Sequence, residues 1–367
     1  MATPIRRQLA PVFLVLLSLG VGAPRIAAQG CVVAHGSGMP MSAHDFDTSE
    51  RWRVSVAHRW FESDRHFRGT HEEKNRRAEG SEVINDSHYL DLSLAYAISP
   101  RLNVTITVPF VSHDRSSVVR NTEREILLRY HTQASGLGDI RAEVAGWLWD
   151  PATHPRGNIL IGAGLELPSG DEDVRDTFSA FDAATGQIIA VERTVDQSIQ
   201  PGDGGFGIPL SVHAYRQLGA GFTGFVSGVY QITPEEKNGV PTFRSNPFES
   251  EMSIADTYLV RLGVEYASTA APGWTFSLAL RGEGVPVRDL IGGSDGFRRP
   301  GYAVSVEPGV AFQRGQWTAR LYVPLAVHVN RRQSIPDKQR SDQLGTYSHG
   351  DAAFADYSIL SSVGFSF

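Results

Sequence analysis

The chain has 367 residues, a formal net charge of −6 and a pI near 6.1, so it offers no basic footprint for nucleic acid. Its single cysteine, Cys31, excludes an intramolecular disulfide framework. The mean hydropathy of −0.19 is that of a soluble protein, but it does not exclude a membrane barrel, whose lipid-facing and lumen-facing residues alternate and cancel.

Residues 1–28 read as a secretory signal. Arg6 and Arg7 give a positive start, Leu9 to Ala23 is apolar and uncharged, and small Ala27 and Ala28 precede a cleavage point before Gln29. No later segment reaches the roughly 18 apolar residues of a membrane helix. Cys31 invites a lipoprotein reading, but Ala28 stands where that cleavage box expects leucine, so an ordinary mature terminus is preferred. Residues 29–50 show no strand pattern and form a short segment that either tucks into a lumen or extends into the periplasm. Cys31 and His35 within it are too few for a metal site.

From residue 51 to 367 the chain reads as about twelve alternating segments, each of the roughly ten residues that a tilted membrane strand needs. In order they are Trp52–Phe61, His88–Ile98, Leu102–Phe110, Ile140–Trp149, Asn158–Leu167, Phe206–Tyr215, Phe222–Ile232, Tyr258–Tyr266, Trp274–Val285, Tyr302–Phe312, Trp317–Val329 and Phe354–Phe367. The third is the cleanest: Leu102, Val104, Ile106, Val108 and Phe110 share one phase. The last ends on Phe367, with Val363 and Phe365 in the same phase and Gly364 and Ser366 in the other. Connections alternate long and short throughout, with 62–87, 111–139, 168–205, 233–257, 286–301 and 330–353 read as the long loops. Aromatic residues such as Trp52, Trp60, Tyr258, Tyr266, Trp274 and Trp317 sit in the apolar phase at strand ends, as girdles at two membrane interfaces would. The expected fold is an all-β, transmembrane, antiparallel up-and-down β-barrel with short periplasmic turns and long extracellular loops. Greek-key crossovers would not keep that loop alternation, and a helical fold lacks a sustained 3.6-residue period.

With the apolar phase on lipid, the other phase lines the lumen. It carries Arg53, Arg59, Arg141, Arg261, Arg281 and Arg320 against Asp91, Glu143, Glu166, Glu265, Glu283 and Glu307, with His213, Tyr322 and His328. An ion-selective pore would favour one sign; balanced charges in a confined lumen should pair. Arg141 with Glu143 and Arg281 with Glu283 lie two residues apart on one face, and are read as pairs. The constriction is expected to be surrounded by Arg141, Glu143, Arg261, Glu265, Arg281, Glu283, Glu307 and Arg320. Small residues such as Gly162, Gly164, Ala95, Ala97 and Gly309 are read as leaving room for a solute or a plug. The acidic loop Asp171, Glu172, Asp173 and Asp176 could hold calcium, but a solvated acidic loop is the preferred reading. No catalytic residues, metal site or cofactor is expected: His58, the mid-strand histidine of the lipid-facing phase, has Val54, Val56 and Trp60 beside it in phase and no serine.

At Gly136-Leu-Gly-Asp-Ile-Arg141, followed by Leu165-Glu-Leu-Pro-Ser-Gly-Asp171, the chain resembles bacterial outer-membrane proteins assigned to the phenol-degradation meta-pathway. These are similar to the fatty-acid and aromatic-hydrocarbon transporter barrels. The match runs from about Leu90 to Asp171, and Thr107-Val-Pro-Phe110 fits it. The resemblance implies a transport-like role for small, hydrophobic or aromatic, solutes and supplies no catalytic residues. The hydrocarbon transporters have more strands and an N-terminal hatch; this chain has only a short pre-barrel segment. The functional expectation is therefore a channel in the outer membrane of a Gram-negative bacterium, surrounded by lipid and lipopolysaccharide and delivered to the barrel-assembly machinery through Phe367. The alternative is a closed structural or surface-interaction barrel acting through its long outer loops.

Overall fold

The computed structural model describes residues 50–367. The signal expected over 1–28, Cys31 and the rest of the pre-barrel segment up to residue 49 lie outside the described residues.

The alternating segments pair into one closed antiparallel sheet of twelve strands. These are β1 (Trp52–Arg68), β2 (Ile84–Ser99), β3 (Leu102–Arg120), β4 (Ile126–Leu137 and Ile140–Trp147), β5 (Gly157–Leu167) and β6 (Ile208–Gly219). They continue as β7 (Phe222–Ile232), β8 (Thr257–Ala267), β9 (Trp274–Val285), β10 (Gly301–Arg314), β11 (Trp317–Tyr322 and Leu325–Arg331) and β12 (Ala352–Ser366). Each pairs with its sequence neighbours. β12 closes on β1, with Val54 opposite Phe365 and Trp60 opposite Ile359. At the rim, Trp52 N–H donates to the Phe367 carbonyl at 2.9 Å, and Phe367 N–H donates back to Trp52 at 2.8 Å.

Period two puts the apolar phase outside. Leu262, Leu165 and Leu280 are 61%, 56% and 54% exposed, and similar residues continue around the barrel. A continuous apolar belt of this kind marks a membrane interface, and a closed barrel is one of two structures that satisfy every backbone group in lipid. Where the turns are short, rings pair across strands: Trp52 with Tyr96 at 4.6 Å, Phe222 with Tyr266 at 4.8 Å, Trp274 with Phe312 at 4.9 Å and Trp317 with Phe365 at 4.8 Å. Trp60 and Tyr357, 5.8 Å apart, belong to the opposite girdle. The short turns define the periplasmic end.

The structure departs from the pattern in three places. β1 runs on to Arg68 and β2 begins at Ile84, both inside the loop expected over 62–87, with Glu62 facing Asp86. Residues 111–139, expected as a loop, instead continue the barrel: Val111 faces Gly136 and Val119 faces Leu128 in a hairpin. Above the membrane both faces of a strand meet water or loops, so alternation fades while backbone pairing persists. Conversely, the segment expected as one strand from Trp317 to Val329 is interrupted at Val323 and Pro324. Proline has no N–H for the ladder, yet the register survives, with Tyr322 opposite Gly309 and Leu325 opposite Val306.

The extracellular loops are folded. They include an exposed hairpin (Arg175–Asp182 with Gln187–Thr194), a short helix α1 (Lys74–Ala78) and a helix α2 (Ile335–Leu344). Helix α2 starts with a capping box between Ser334 and Asp337 and stops at Gly345, whose φ of 65° suits glycine.

Candidate functional site

The middle of the lumen is occupied by a line of paired charges supplied by β1, β8, β9 and β10. Arg59 donates to Glu283 at 3.2 Å, and Arg281 reaches Glu283 through Nε and Nη2, each at 3.1 Å. Arg281 Nη1 continues to Glu307 at 3.1 Å, and Arg261 Nε closes the line on Glu307 at 2.7 Å. All five side chains are 0–2% exposed. Arg261 also lies over the rings of Phe225 and Tyr322, at 5.0 and 5.3 Å from their centroids. Buried guanidinium and carboxylate groups are tolerable only when paired and hydrogen-bonded, and here each carboxylate bridges two arginines.

Four of the eight residues expected at the constriction, Arg261, Arg281, Glu283 and Glu307, thus meet directly. The pairing read between Arg281 and Glu283 is present. In the other pair, Arg141 donates to Asp91 at 3.0 Å, and Glu143 accepts from Ser211 at 2.7 Å. Asp91 faces Pro109 and Arg141 faces Thr107, so Arg141 reaches Asp91 across β3. Glu265 and Arg320 sit nearer the periplasm, where with Trp274, Gln313 and Tyr322 they line a cavity of roughly 210 Å³. Arg59 and Asp91, read only as lumen-facing, belong to the constellation.

The small residues do different work from that expected. A Cβ on Gly162 would fall within about 2.4 Å of Glu143 and Ser211, and one on Gly309 would strike the Tyr322 ring. These glycines make room for neighbouring side chains. The acidic loop is also engaged: Asp173 accepts from Thr194 Oγ1 at 2.6 Å and Asp176 from Gln133 N–H at 2.7 Å.

Above the charged line, the loop between β5 and β6 turns inward. Its residues Gln197, Ser198, Gln200 and Pro201 lie with Tyr89, Arg141 and Glu166 around one small cavity. Two features hold the loop there. The first is apolar: Val195 and Ile199, both fully buried, pack on Ala134 of β4. The second is Asp139, whose carboxylate accepts N–H bonds from Ser169 at 3.1 Å, Gly170 at 2.9 Å and Asp203 at 3.1 Å. Ser169 Oγ returns a bond to the Gly138 carbonyl at 3.0 Å. A Cβ on Gly170 or Gly202 would meet the other's backbone at 2.7–2.8 Å, so the loop closes over itself only with glycine at both. The two sequence motifs, Gly136–Asp139 and Leu167–Gly170, are therefore one structural unit, the anchor of the inward loop.

Asp196, on the same loop, is 1% exposed and faces Arg299 at 2.8 Å, Arg115 at 3.4 Å and Arg244 at 3.5 Å. Burial alone would push its carboxyl up, but Arg115, Arg299 and Arg244 together hold it well below the usual range. The long-loop position of Asp196 gave no sign of this in the sequence. Outside the loop lies a vestibule of roughly 580 Å³, open to the exterior and walled by Arg115, Tyr130, Phe178, Phe243 and Arg244 among others. Among the described residues no cluster of three or more His, Cys, Asp or Glu side chains is arranged to hold a metal ion.

No family model and no curated relative matches the chain. Among solved structures, it is similar to an outer membrane channel from Pseudomonas putida F1, with 12% identity over 91% of this chain and 100% of the other and a TM-score of 0.53. Looser likenesses are to the Pseudomonas putida toluene transporter TodX (8% identity, 94% and 98% covered, TM-score 0.47) and to the translocator domain of the autotransporter NalP from Neisseria meningitidis (11%, 89% and 92%, 0.43). At such identities the likeness is one of fold. The closed sheet, the apolar belt and the two aromatic rims make the chain a membrane-spanning barrel, and its fold is similar to that of an outer-membrane channel.

Proposed function

We propose that the barrel is a channel for passive passage of small solutes, held here in a closed conformation. The observation that carries this reading is a layer of paired charges between two open mouths, the vestibule outside and the cavity at Glu265 and Arg320 inside. A lumen that only had to be filled could be packed with apolar side chains at no greater cost, since buried ion pairs seldom outperform a hydrophobic core. Ion pairs exchange partners, and a passing solute or water can substitute for them. The resemblance of the Gly136–Asp139 and Leu167–Gly170 motifs to the meta-pathway family supports hydrophobic or aromatic cargo. The constriction is assigned to Arg141, Glu143, Arg261, Arg281, Glu283 and Glu307, with Glu265 and Arg320 at its periplasmic exit.

Single-channel recording in planar bilayers tests this. Discrete conductance, altered by Arg281→Gln or Glu283→Gln, supports the channel. A purified, folded barrel that never conducts, in which those changes only lower stability, overturns it.

The complete burial of the five charges favours the second reading, a closed barrel acting through its loops. Deleting residues 169–205 separates the two. Lost surface binding with unchanged permeability would favour the second. In either case the role is non-catalytic, lipopolysaccharide is the expected partner of the outer rim, and Phe367 the feature read by the assembly machinery.

A further inference from the structure

We propose that the extracellular vestibule is a binding site for small aromatic carboxylates, with Arg244 taking the carboxylate and the ring of Phe243, backed by Phe178, taking the arene. The site stands on its own geometry, but its role as the loading station of a conduit rests on the channel reading above.

Three observations meet here. The first is a row of rings. Tyr130 and Phe178 are 5.9 Å apart, and Phe178 and Phe243 are 5.6 Å apart, along the vestibule wall. Phe243 is 39% exposed and presents ring surface to the cavity, while Phe178, 6% exposed, backs it. Spacings of this size are those of stacked or edge-on aromatic neighbours, and a single-ring solute could join the row.

The second is unbalanced charge where the row ends. Asp196 faces three guanidinium groups, and only Arg299 holds it closely, at 2.8 Å; Arg115 and Arg244 stand back at 3.4 and 3.5 Å. Glu249 adds its field to Arg244 without removing the excess. Burial, followed by the repulsion of Arg299, lowers the proton affinity of Arg244, as expected of an under-compensated cation.

The third is unused donor capacity. Arg244 Nε is buried with no hydrogen-bond partner among the described residues. The same guanidinium lies over Phe297 at 4.2 Å and Phe243 at 5.4 Å, which fixes its plane. The side chain is 32% exposed, and a planar guanidinium held in place by rings suits capture of a carboxylate at that open edge. Arg68, Arg76 and Arg120, by contrast, already pair with Glu73, Glu79 or Asp351 and are not counted. The cavity of roughly 580 Å³ is ample for one ring with its substituent.

Benzoate is the probe, titrated into the full-length barrel in detergent by calorimetry, a readout that needs no conduction. Benzyl alcohol, which keeps the ring, and inorganic phosphate, which keeps the anion, are the two controls. We expect saturable benzoate binding, at least tenfold weaker binding of both controls, and at least tenfold loss in Arg244→Gln. Phe243→Ala should weaken benzoate several-fold and leave phosphate unchanged. Phosphate binding as tightly as benzoate would reduce the site to a general anion patch and overturn the assignment. So would benzoate binding that survives Arg244→Gln in a variant verified as folded by its heat-modifiable migration. If benzoate binds as described but the barrel never conducts, the site stands and the channel reading falls.

Discussion

Replacing Glu307 by glutamine tests the charged layer most directly. Glu307 is fully buried, accepts from Arg261 Nε at 2.7 Å and from Arg281 at 3.1 Å, and stands 2.5 Å from Arg261 Nη2 as an ion pair. The line holds three guanidinium groups and two carboxylates, so Glu307→Gln raises its formal excess from +1 to +2 while leaving shape and one acceptor oxygen in place. Unit charges about 4 Å apart attract by about 4 kcal/mol at an effective dielectric constant of about 20, and removing one partner of a buried pair costs about 3–5 kcal/mol. The variant should therefore lose about 3–5 kcal/mol in a urea titration of the barrel in micelles, the expected penalty for stranding a buried cation. The double change Arg261→Met with Glu307→Met removes both charges and should lose much less. If Glu307→Gln unfolds within about 1 kcal/mol of the parent, the lumen is wetter or more adaptable than the burial implies, and the argument from paired charges fails.

Asp139→Ala removes the acceptor of three loop N–H groups, worth about 1.5–3 kcal/mol each when the acceptor is charged; limited proteolysis should then cut within residues 168–207 while the strands stay protected. Lowering the pH from 7 to 5 should leave the extracellular loops folded. Asp196 and Asp351 both have depressed native pKa values, Asp196 through its three arginines and Asp351 through His66 and Arg76, each against the opposing effect of burial. A depressed carboxylate contributes stability fully above its unfolded pKa of about 3.9 and loses it as pH falls toward the native value. Loop amides should thus keep their hydrogen-exchange protection at pH 5 and lose it only below about 4; loss already at pH 5 would show that other groups hold these loops. Gly162→Val should push Glu143 off Ser211 and alter conductance with little change in the apolar belt. Deleting Phe367 removes a backbone bond from each direction at the rim and a ring stacked 5.8 Å from Phe365, and should lower the folded fraction in outer-membrane preparations.

The wall of the barrel was legible because lipid imposes a strict rule on every second residue. Leu102 to Phe110 could be read as a strand without any partner in view, and so could its face. Legibility ended where that rule ends. Above the bilayer, Val111–Arg120 and Ile126–Leu137 remain paired without alternating, so their sequence looks like a loop. Pro324 was the one visible sign that Trp317 to Val329 could not be an unbroken strand. Inside the lumen, the sign and phase of each charge could be read, but the partners could not. Glu143 is two residues from Arg141, yet the geometry of neighbouring strands gives Arg141 to Asp91. Arg59 and Glu283 are 224 residues apart in sequence and meet only because the sheet closes. Asp139 appeared as a motif letter; its service to Ser169, Gly170 and Asp203 needed coordinates.

The seam between β1 and β12 has a kinetic consequence. It joins the first strand of the wall to the last, from Arg53 opposite Ser366 to Phe67 opposite Ala352. Drawing together chain ends separated by roughly 300 residues carries a closure entropy of about 5 kcal/mol before any constant term. Until that encounter, the nascent sheet carries two bare edges, each a template for any passing strand. A barrel of this connectivity therefore spends its vulnerable time waiting for its own last strand, and the rate at which that strand is handed over sets how much of the protein aggregates before it can fold.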